Sequence, residues 1–81
     1  MYTVYILQSE KDGRTYVGYT KDLENRLKLH NSDQVTATKH RFPFKLLFKE
    51  DFQIEIDAKK RELYWKSGAG RRKLKQYFKN E

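Results

Sequence analysis

The sequence predicts an α+β fold, a small antiparallel-containing sheet with helical cover in the order ββαβαα. Three features point there. Two β-rich segments flank an Asp12-Gly13 turn signal. A third aromatic-rich strand follows a polar loop. Helical apolar spacing occurs between and after the strands. Residues 2–8, Tyr-Thr-Val-Tyr-Ile-Leu-Gln, are rich in β-branched and aromatic side chains. Strand alternation puts Tyr2, Val4 and Ile6 on one face and Thr3, Tyr5 and Leu7 on the other. Residues 9–13 are turn chemistry, in which Gly13 takes positive φ without steric cost. Residues 14–20 read as the second strand, with Tyr16, Gly18 and Thr20 on one face and Val17 and Tyr19 on the other. A glycine inside a strand marks a bulge or a close approach to the backbone, so Gly18 stands out.

A helix is expected over about residues 22–31, capped by Thr20 or Asp22. Leu23 and Leu27 give it an apolar i, i+4 stripe, and Arg26 and His30 share the adjoining strip. Residues 32–43 are polar, aperiodic and end in Phe-Pro, which reads as a loop. Residues 44–52 form the third strand, with Leu46 and Phe48, and by the same alternation Phe44, on one face. Asp57 can cap a second helix over about residues 58–67. Gly68-Ala69-Gly70 then stops it, and residues 71–79 form a third helix. There Leu74, Tyr77 and Phe78 make an apolar side among basic residues.

At 81 residues one domain spanning 1–81 is expected. Only 37% of residues are hydrophobic and 15% are aromatic, so large rings must supply much of the buried area. The absence of Cys excludes a disulfide scaffold, a Cys-ligated zinc site and a thiol nucleophile. No apolar run is long enough to cross a bilayer, and no basic-then-apolar leader opens the chain. Membrane insertion and Sec export are therefore not expected, and the cytoplasm is the expected compartment. The net charge of +7 is uneven. Residues 1–58 carry nine basic and nine acidic side chains, whereas residues 59–81 carry nine basic and two acidic (9 − 2 = +7). A segment of that kind attracts phosphates by counterion release, or serves as a solvated helical face.

Several polar groups sit where packing alone does not want them. Tyr5 and Tyr16 come from adjacent hairpin strands and can lie across from each other on one face, either as half-buried core tyrosines or as site residues. Glu62 lies about 40° from Ala58 and about 60° from Trp65 on a helical wheel, on the stripe that faces the sheet. A carboxylate there must be paired, with Arg61, Lys66 or Arg26 as candidates, or bound to a cation. Arg26 and His30 project from one side of the first helix. One carboxylate, one Arg, one His and two Tyr over one sheet face make a set able to cleave phosphodiesters. The carboxylate can hold a water-rich Mg²⁺, Arg26 can bind phosphate bidentately, and a Tyr or His can take a proton from water.

The ordered series resembles the GIY-YIG nuclease domain, the fold also found at the N-terminus of the bacterial excision-repair nuclease. Thr3-Val4-Tyr5 corresponds to the first signature tripeptide and Tyr16-Val17-Gly18 to the second. Asp12-Gly13, Asp22-Leu23, Arg26-Leu27 and His30-Asn31 follow in the family's order, and Ala58-Lys59-Lys60-Arg61-Glu62 resembles its metal-binding helix. Lys66-Ser67-Gly68 is similar to the small stand-alone bacterial members. Thr3 stands where the family has a glycine.

The resemblance implies a three-stranded antiparallel sheet flanked by helices. It implies Tyr5 as general base or its hydrogen-bond relay, and Tyr16 positioning the water or the scissile phosphate. Arg26 would stabilise the phosphorane-like charge, and Glu62 would hold one Mg²⁺ or Mn²⁺. His30 matches a position that helps catalysis in some members.

The expectation is a Mg²⁺-dependent endonuclease acting on DNA, in repair or recombination. The alternative is a nucleic-acid-binding module of the same fold with weak or no cleavage. In either reading Lys39, His40 and Arg41 of the loop and Arg71, Arg72 and Lys73 of the last helix supply contacts to the nucleic-acid backbone. Sequence specificity is expected to be poor, or to come from a protein partner or from DNA shape.

Overall fold

The computed structural model describes residues 1–32 and 34–78. Strands β1 (Tyr2–Ser9) and β2 (Thr15–Thr20) form the hairpin and helix α1 (Leu23–Asn31) follows. A short 3₁₀ turn (Thr36–Thr38), strand β3 (Phe44–Phe52), helix α2 (Glu55–Lys66) and helix α3 (Gly68–Phe78) complete the order. The sheet is antiparallel with strand order β2-β1-β3, so the first strand is the central one. The hairpin turn carries Gly13 at φ 74°. Ser9 Oγ accepts from the backbone N–H of Lys11 and Asp12 at 3.1 and 3.2 Å, and Asp12 Oδ1 accepts from that of Arg14 at 2.9 Å. These local bonds supply the partners that a tight turn denies its own backbone.

The alternation of β1 sorts the core into two layers. Val4 and Ile6 meet Val17, Ala58, Trp65 and Leu74 on the face covered by α2 and α3. Tyr5 and Leu7 meet Phe44 on the opposite face, under Leu23 and Leu27 of α1. One carboxylate ties α2 to the sheet: Glu50 on β3 accepts from Trp65 Nε1 and from Arg61 Nε, each at 2.9 Å. The Arg61 guanidinium also stacks on the rings of Tyr64 and Trp65, 4.8 Å from each centroid. Trp65 is thus buried with its polar handle satisfied, as burial of an indole requires.

Four expectations need correction. Phe44 and Phe48 do not share a face. The register slips between Ile6, opposite Phe48, and Leu7, opposite Leu46, so Phe44 joins the Tyr5 layer and Phe48 the Trp65 layer. A bulge breaks the period-2 alternation in this way. Helix α2 begins at Glu55, which puts Asp57 in its first turn; the residue preceding the helix, Ile54, makes no side-chain cap. Gly68-Ala69-Gly70 is the first turn of α3, not a break between helices. Ser67, extended at φ −75° and ψ 167°, makes the elbow, and its Oγ accepts from the Gly70 N–H at 3.3 Å. Residues 32–43 are not wholly irregular, since Thr36–Thr38 closes a 3₁₀ turn. Of the apolar side expected on α3, Leu74 is buried and Tyr77 is 59% exposed. The expected helix end at Lys79 lies outside the described residues.

Gly70 is buried because α3 packs on the backbone of α2. A Cβ there would meet the Tyr64 carbonyl oxygen and lie 2.6 Å from Trp65 Cα. At Gly68 a Cβ would meet only Arg72 Nη1, at 3.6 Å. Gly70→Ala is therefore expected to destabilise by about 1–3 kcal/mol despite alanine's better helix propensity. Gly68→Ala is expected to be neutral or slightly stabilising. Urea unfolding of the two variants checks the contrast; equal stabilities would mean that the helices do not meet this closely.

Candidate active site

Tyr5 occupies the middle of the central strand, directly opposite Gly18 on β2. Tyr16 pairs with Leu7, so the two tyrosines are diagonal neighbours on one face, with ring centroids 6.3 Å apart. Gly18 makes room for the phenol. A Cβ at that position would lie 2.6 Å from Tyr5 Oη and 2.8 Å from Cζ.

Helix α1 brings the next two groups. Asp22 caps it by accepting from the Asn25 N–H at 3.1 Å, and the four-residue spacing of Arg26 and His30 puts both side chains on one strip. His30 is 0% exposed. Its Nε2 lies 3.0 Å from Tyr5 Oη, and its Nδ1 2.8 Å from Thr38 Oγ1. Its ring stands 5.0 Å from that of Tyr16 and 5.8 Å from that of Phe44. Asn31 Oδ1 accepts from the Phe44 N–H at 2.6 Å and fastens the end of α1 to the start of β3.

Burial lowers the His30 pKa to about 4, helped by the Arg26 cation, so the imidazole is neutral near pH 7. Burial likewise pushes the Tyr5 phenol above its ordinary value. Arg26, hydrogen-bonded to the phenol, opposes that rise, while Tyr16 and Glu62 add to it. Tyr5 is 1% exposed, whereas Tyr16 and Arg26 are half-buried. Arg26 Nε is buried with no acceptor among the described residues. An orphan cationic donor of that kind is the feature an anionic oxygen satisfies.

Glu62 arrives from the opposite layer. Its side chain is 15% exposed, and its ion-pair partner among the described residues is Lys66 one turn on, at 3.5 Å. Arg61, the other neighbour weighed for it, pairs with Glu50 instead. Its charge is a lesser influence on the two phenols: it adds to the rise of Tyr5 after burial and Tyr16, and to that of Tyr19 after burial and Glu55. A single carboxylate with one exposed lysine partner fits a hard cation that keeps most of its own waters. It does not fit an all-protein cage, and no three metal-ligating side chains gather among the described residues.

The expected backbone-contact residues are dispersed. Lys39 and His40 are exposed at the end of the 3₁₀ turn, where His40 has φ 68°. Arg41 is tied to Asp12 at 3.1 Å and lies over the Phe44 ring. Arg71, Arg72 and Lys73 are exposed on α3, in the layer opposite Tyr5. Arg71 shares a groove with Arg14 and Lys75 over Leu47 and Leu74. Thr38 was not singled out by the sequence. It lies in an aperiodic loop, and only its place beside His30 gives it meaning.

A three-stranded sheet with a phenol pair on one face, and a guanidinium and imidazole from the next helix, is the architecture of one nuclease class. The chain belongs to the GIY-YIG family, whose catalytic-domain model matches residues 1–77. Members of this family are nucleases that in general depend on a divalent metal ion. The chain is 41% identical over 73 residues to the UPF0213 protein SSP2268 of Staphylococcus saprophyticus, spanning 89% of this chain and 88% of that one. It is 42% identical over 81 residues to the UPF0213 protein YsiG of Lactococcus lactis, spanning 99% and 77%. The solution NMR structure of the UPF0213 protein BH0048 from Bacillus halodurans has the same fold, with a TM-score of 0.58 at 33% identity over 96% of this chain and 86% of that one. These relatives are small stand-alone bacterial proteins. No helix among the described residues is long and apolar enough to cross a membrane.

His30 is expected to titrate near pH 4 in the folded protein, against 6.5 for the ordinary group. Between those values the unfolded chain binds more protons. Its contribution to stability is thus intact above about pH 6.5 and declines as pH falls to about 4, by on the order of 3 kcal/mol in all. The imidazole proton resonances give the midpoint, and a value near 6.5 would show a solvated ring. Gly18→Ala is expected to displace the Tyr5 phenol, admit water to His30 and raise that midpoint; an unmoved midpoint would mean that the phenol tolerates a Cβ beneath it.

Proposed function

We propose that this protein is an endonuclease that hydrolyses phosphodiester bonds in DNA with the help of a divalent cation, Mg²⁺ or Mn²⁺. The observation that carries the reading is the Arg26 guanidinium, its buried Nε without an acceptor among the described residues, beside the Tyr5–His30 pair and the Tyr16 ring. Exposure divides the roles. Arg26 and Tyr16 form a rim that a phosphate can reach, and Tyr5 and His30 form the floor. A phosphate at the rim meets the half-buried guanidinium, which stabilises the charge that grows on phosphorus-bound oxygen in the transition state. The Tyr16 hydroxyl orients the attacking water or the scissile phosphate.

The raised pKa of Tyr5 argues against a standing phenolate and favours a relay. The phenol accepts the water's proton as it passes its own to Nε2 of the neutral His30, while the water oxygen bonds to phosphorus and the bond from phosphorus to the leaving sugar oxygen breaks; that oxygen keeps the electron pair and takes a proton from solvent. Glu62 would hold the cation, which supplies charge neutralisation at the phosphate. Lys39, His40 and Arg41 on one side, and Arg71, Arg72 and Lys73 on the other, would meet phosphates away from the cut. A role in DNA repair or recombination in the cytoplasm fits this chemistry. Choice of site would then come from DNA shape or from a protein partner.

The test is incubation with labelled linear and branched DNA in Mg²⁺, Mn²⁺ or EDTA. Cleavage is expected with metal only, lost in Glu62→Gln with DNA affinity near wild type. Arg26→Ala is expected to lower turnover by about 100-fold, more than it lowers affinity. Full cleavage by Glu62→Gln would remove the metal role from Glu62. Tight DNA binding without cleavage in either metal would establish the binding-module alternative.

A further inference from the structure

We propose that Thr38 is a positioning residue: its hydroxyl fixes the tautomer of His30 and so directs the Tyr5 proton away from the rim of the site. Tyr5, His30 and Thr38 are 1%, 0% and 1% exposed, so protein groups must meet their hydrogen bonds: one another, the Arg26 guanidinium beside the phenol and the Val35 carbonyl beside Thr38. A neutral imidazole carries one N–H, and the chain of bonds can run in either of two directions.

In the first direction His30 Nδ1–H donates to Thr38 Oγ1 at 2.8 Å, and Tyr5 O–H donates to the bare Nε2 at 3.0 Å. The Thr38 proton then has its own acceptor, the Val35 carbonyl at 3.4 Å. Every proton is placed. In the second direction Thr38 would donate to Nδ1, and Nε2–H to the phenol oxygen. The Tyr5 proton would then have no acceptor among the described residues, since Arg26, the other group bonded to the phenol, carries donors only. Stranding a buried hydroxyl proton disfavours the second direction by roughly fivefold or more.

The backbone holds Thr38 to this task. Its N–H donates to the Val35 carbonyl at 3.0 Å, and its carbonyl accepts from the Arg41 N–H at 3.1 Å. The hydroxyl is thus presented by a closed 3₁₀ turn, not by a free loop. The consequence for chemistry rests on the nuclease reading. With its proton committed to Nε2, the phenol oxygen offers its lone pairs to the rim and can take a proton from water there. Thr38 touches no reacting atom and acts through His30.

The test uses the full chain, with ¹⁵N-labelled histidine and a parallel DNA cleavage assay. Two-bond proton–nitrogen correlations at pH 7 are expected to show His30 protonated at Nδ1 and bare at Nε2. Thr38→Val keeps the shape and removes the acceptor, and it is expected to shift the ring toward the Nε2–H tautomer. Its kcat is expected to fall about 10–100-fold with KM for DNA within about twofold. Thr38→Ser restores the hydroxyl and is expected to recover both tautomer and kcat. An Nε2–H ring in the wild type overturns the proposal, and that measurement decides even if Thr38→Val does not fold. An unchanged tautomer in Thr38→Val overturns it as well. The expected tautomers with no cleavage by any form would support the placement of Thr38 and overturn the nuclease reading instead.

Discussion

Burying a phenol at the centre of the middle strand is the constraint from which much of this molecule follows. The ring needs room, and the neighbouring strand supplies it by having no side chain at Gly18. The hydroxyl needs a partner, since a buried unsatisfied group costs about 1–3 kcal/mol in a fold whose whole margin is about 5–15 kcal/mol. His30 is that partner, which fixes the last turn of α1 over the sheet. The second imidazole nitrogen needs one too, which draws in Thr38 and with it the turn at residues 36–38. One hydroxyl on β1 therefore positions two separate pieces of chain.

The other face of the same strand answers a simpler demand. Val4 and Ile6 need apolar cover, and α2 and α3 provide it through Ala58, Trp65 and Leu74. That layer is fastened by the Glu50 carboxylate, which serves Trp65 and Arg61 together. The two helices can lie this close only because Gly70 presents no side chain to the backbone of α2. Alternation along one strand thus divides the labour. One layer is closed by apolar packing, and the other by aromatic rings that share hydrogen bonds.

The hairpin, the three helices and the order of elements were legible because each rests on local signals: turn residues, period-2 alternation and i, i+4 stripes. Tyr5, Gly18, Arg26, His30 and Glu62 stood out for a related reason, each being the wrong residue for simple packing at its place. What was not legible depends on contacts between distant segments. The slip opposite Ile6 and Leu7 that parts Phe44 from Phe48 is set by pairing with β1, not by β3 itself. The glycines at 68 and 70 look like a helix stop until the close approach of α2 gives Gly70 its reason. Thr38 carries no periodicity at all. Tyr16 was expected opposite Tyr5 and is diagonal to it, because the register is fixed by the turn and seats Gly18 there instead.

The distribution of charge bears on which reading of the site is better founded. Residues 59–78, in α2 and α3, carry eight basic side chains and one acidic (8 − 1 = +7), one layer away from Arg26 and Tyr16. A polyanion drawn to those helices would pass Glu62 on α2, whose side chain is 15% exposed. A largely buried carboxylate beside that path repels phosphate, and its lysine partner is itself half-exposed. For a protein that only holds nucleic acid, such a group works against binding, and a neutral side chain would serve better. For a protein that places a hard cation between its carboxylate and a phosphate, the same group is what makes the approach favourable, and that asymmetry argues for catalysis over simple binding.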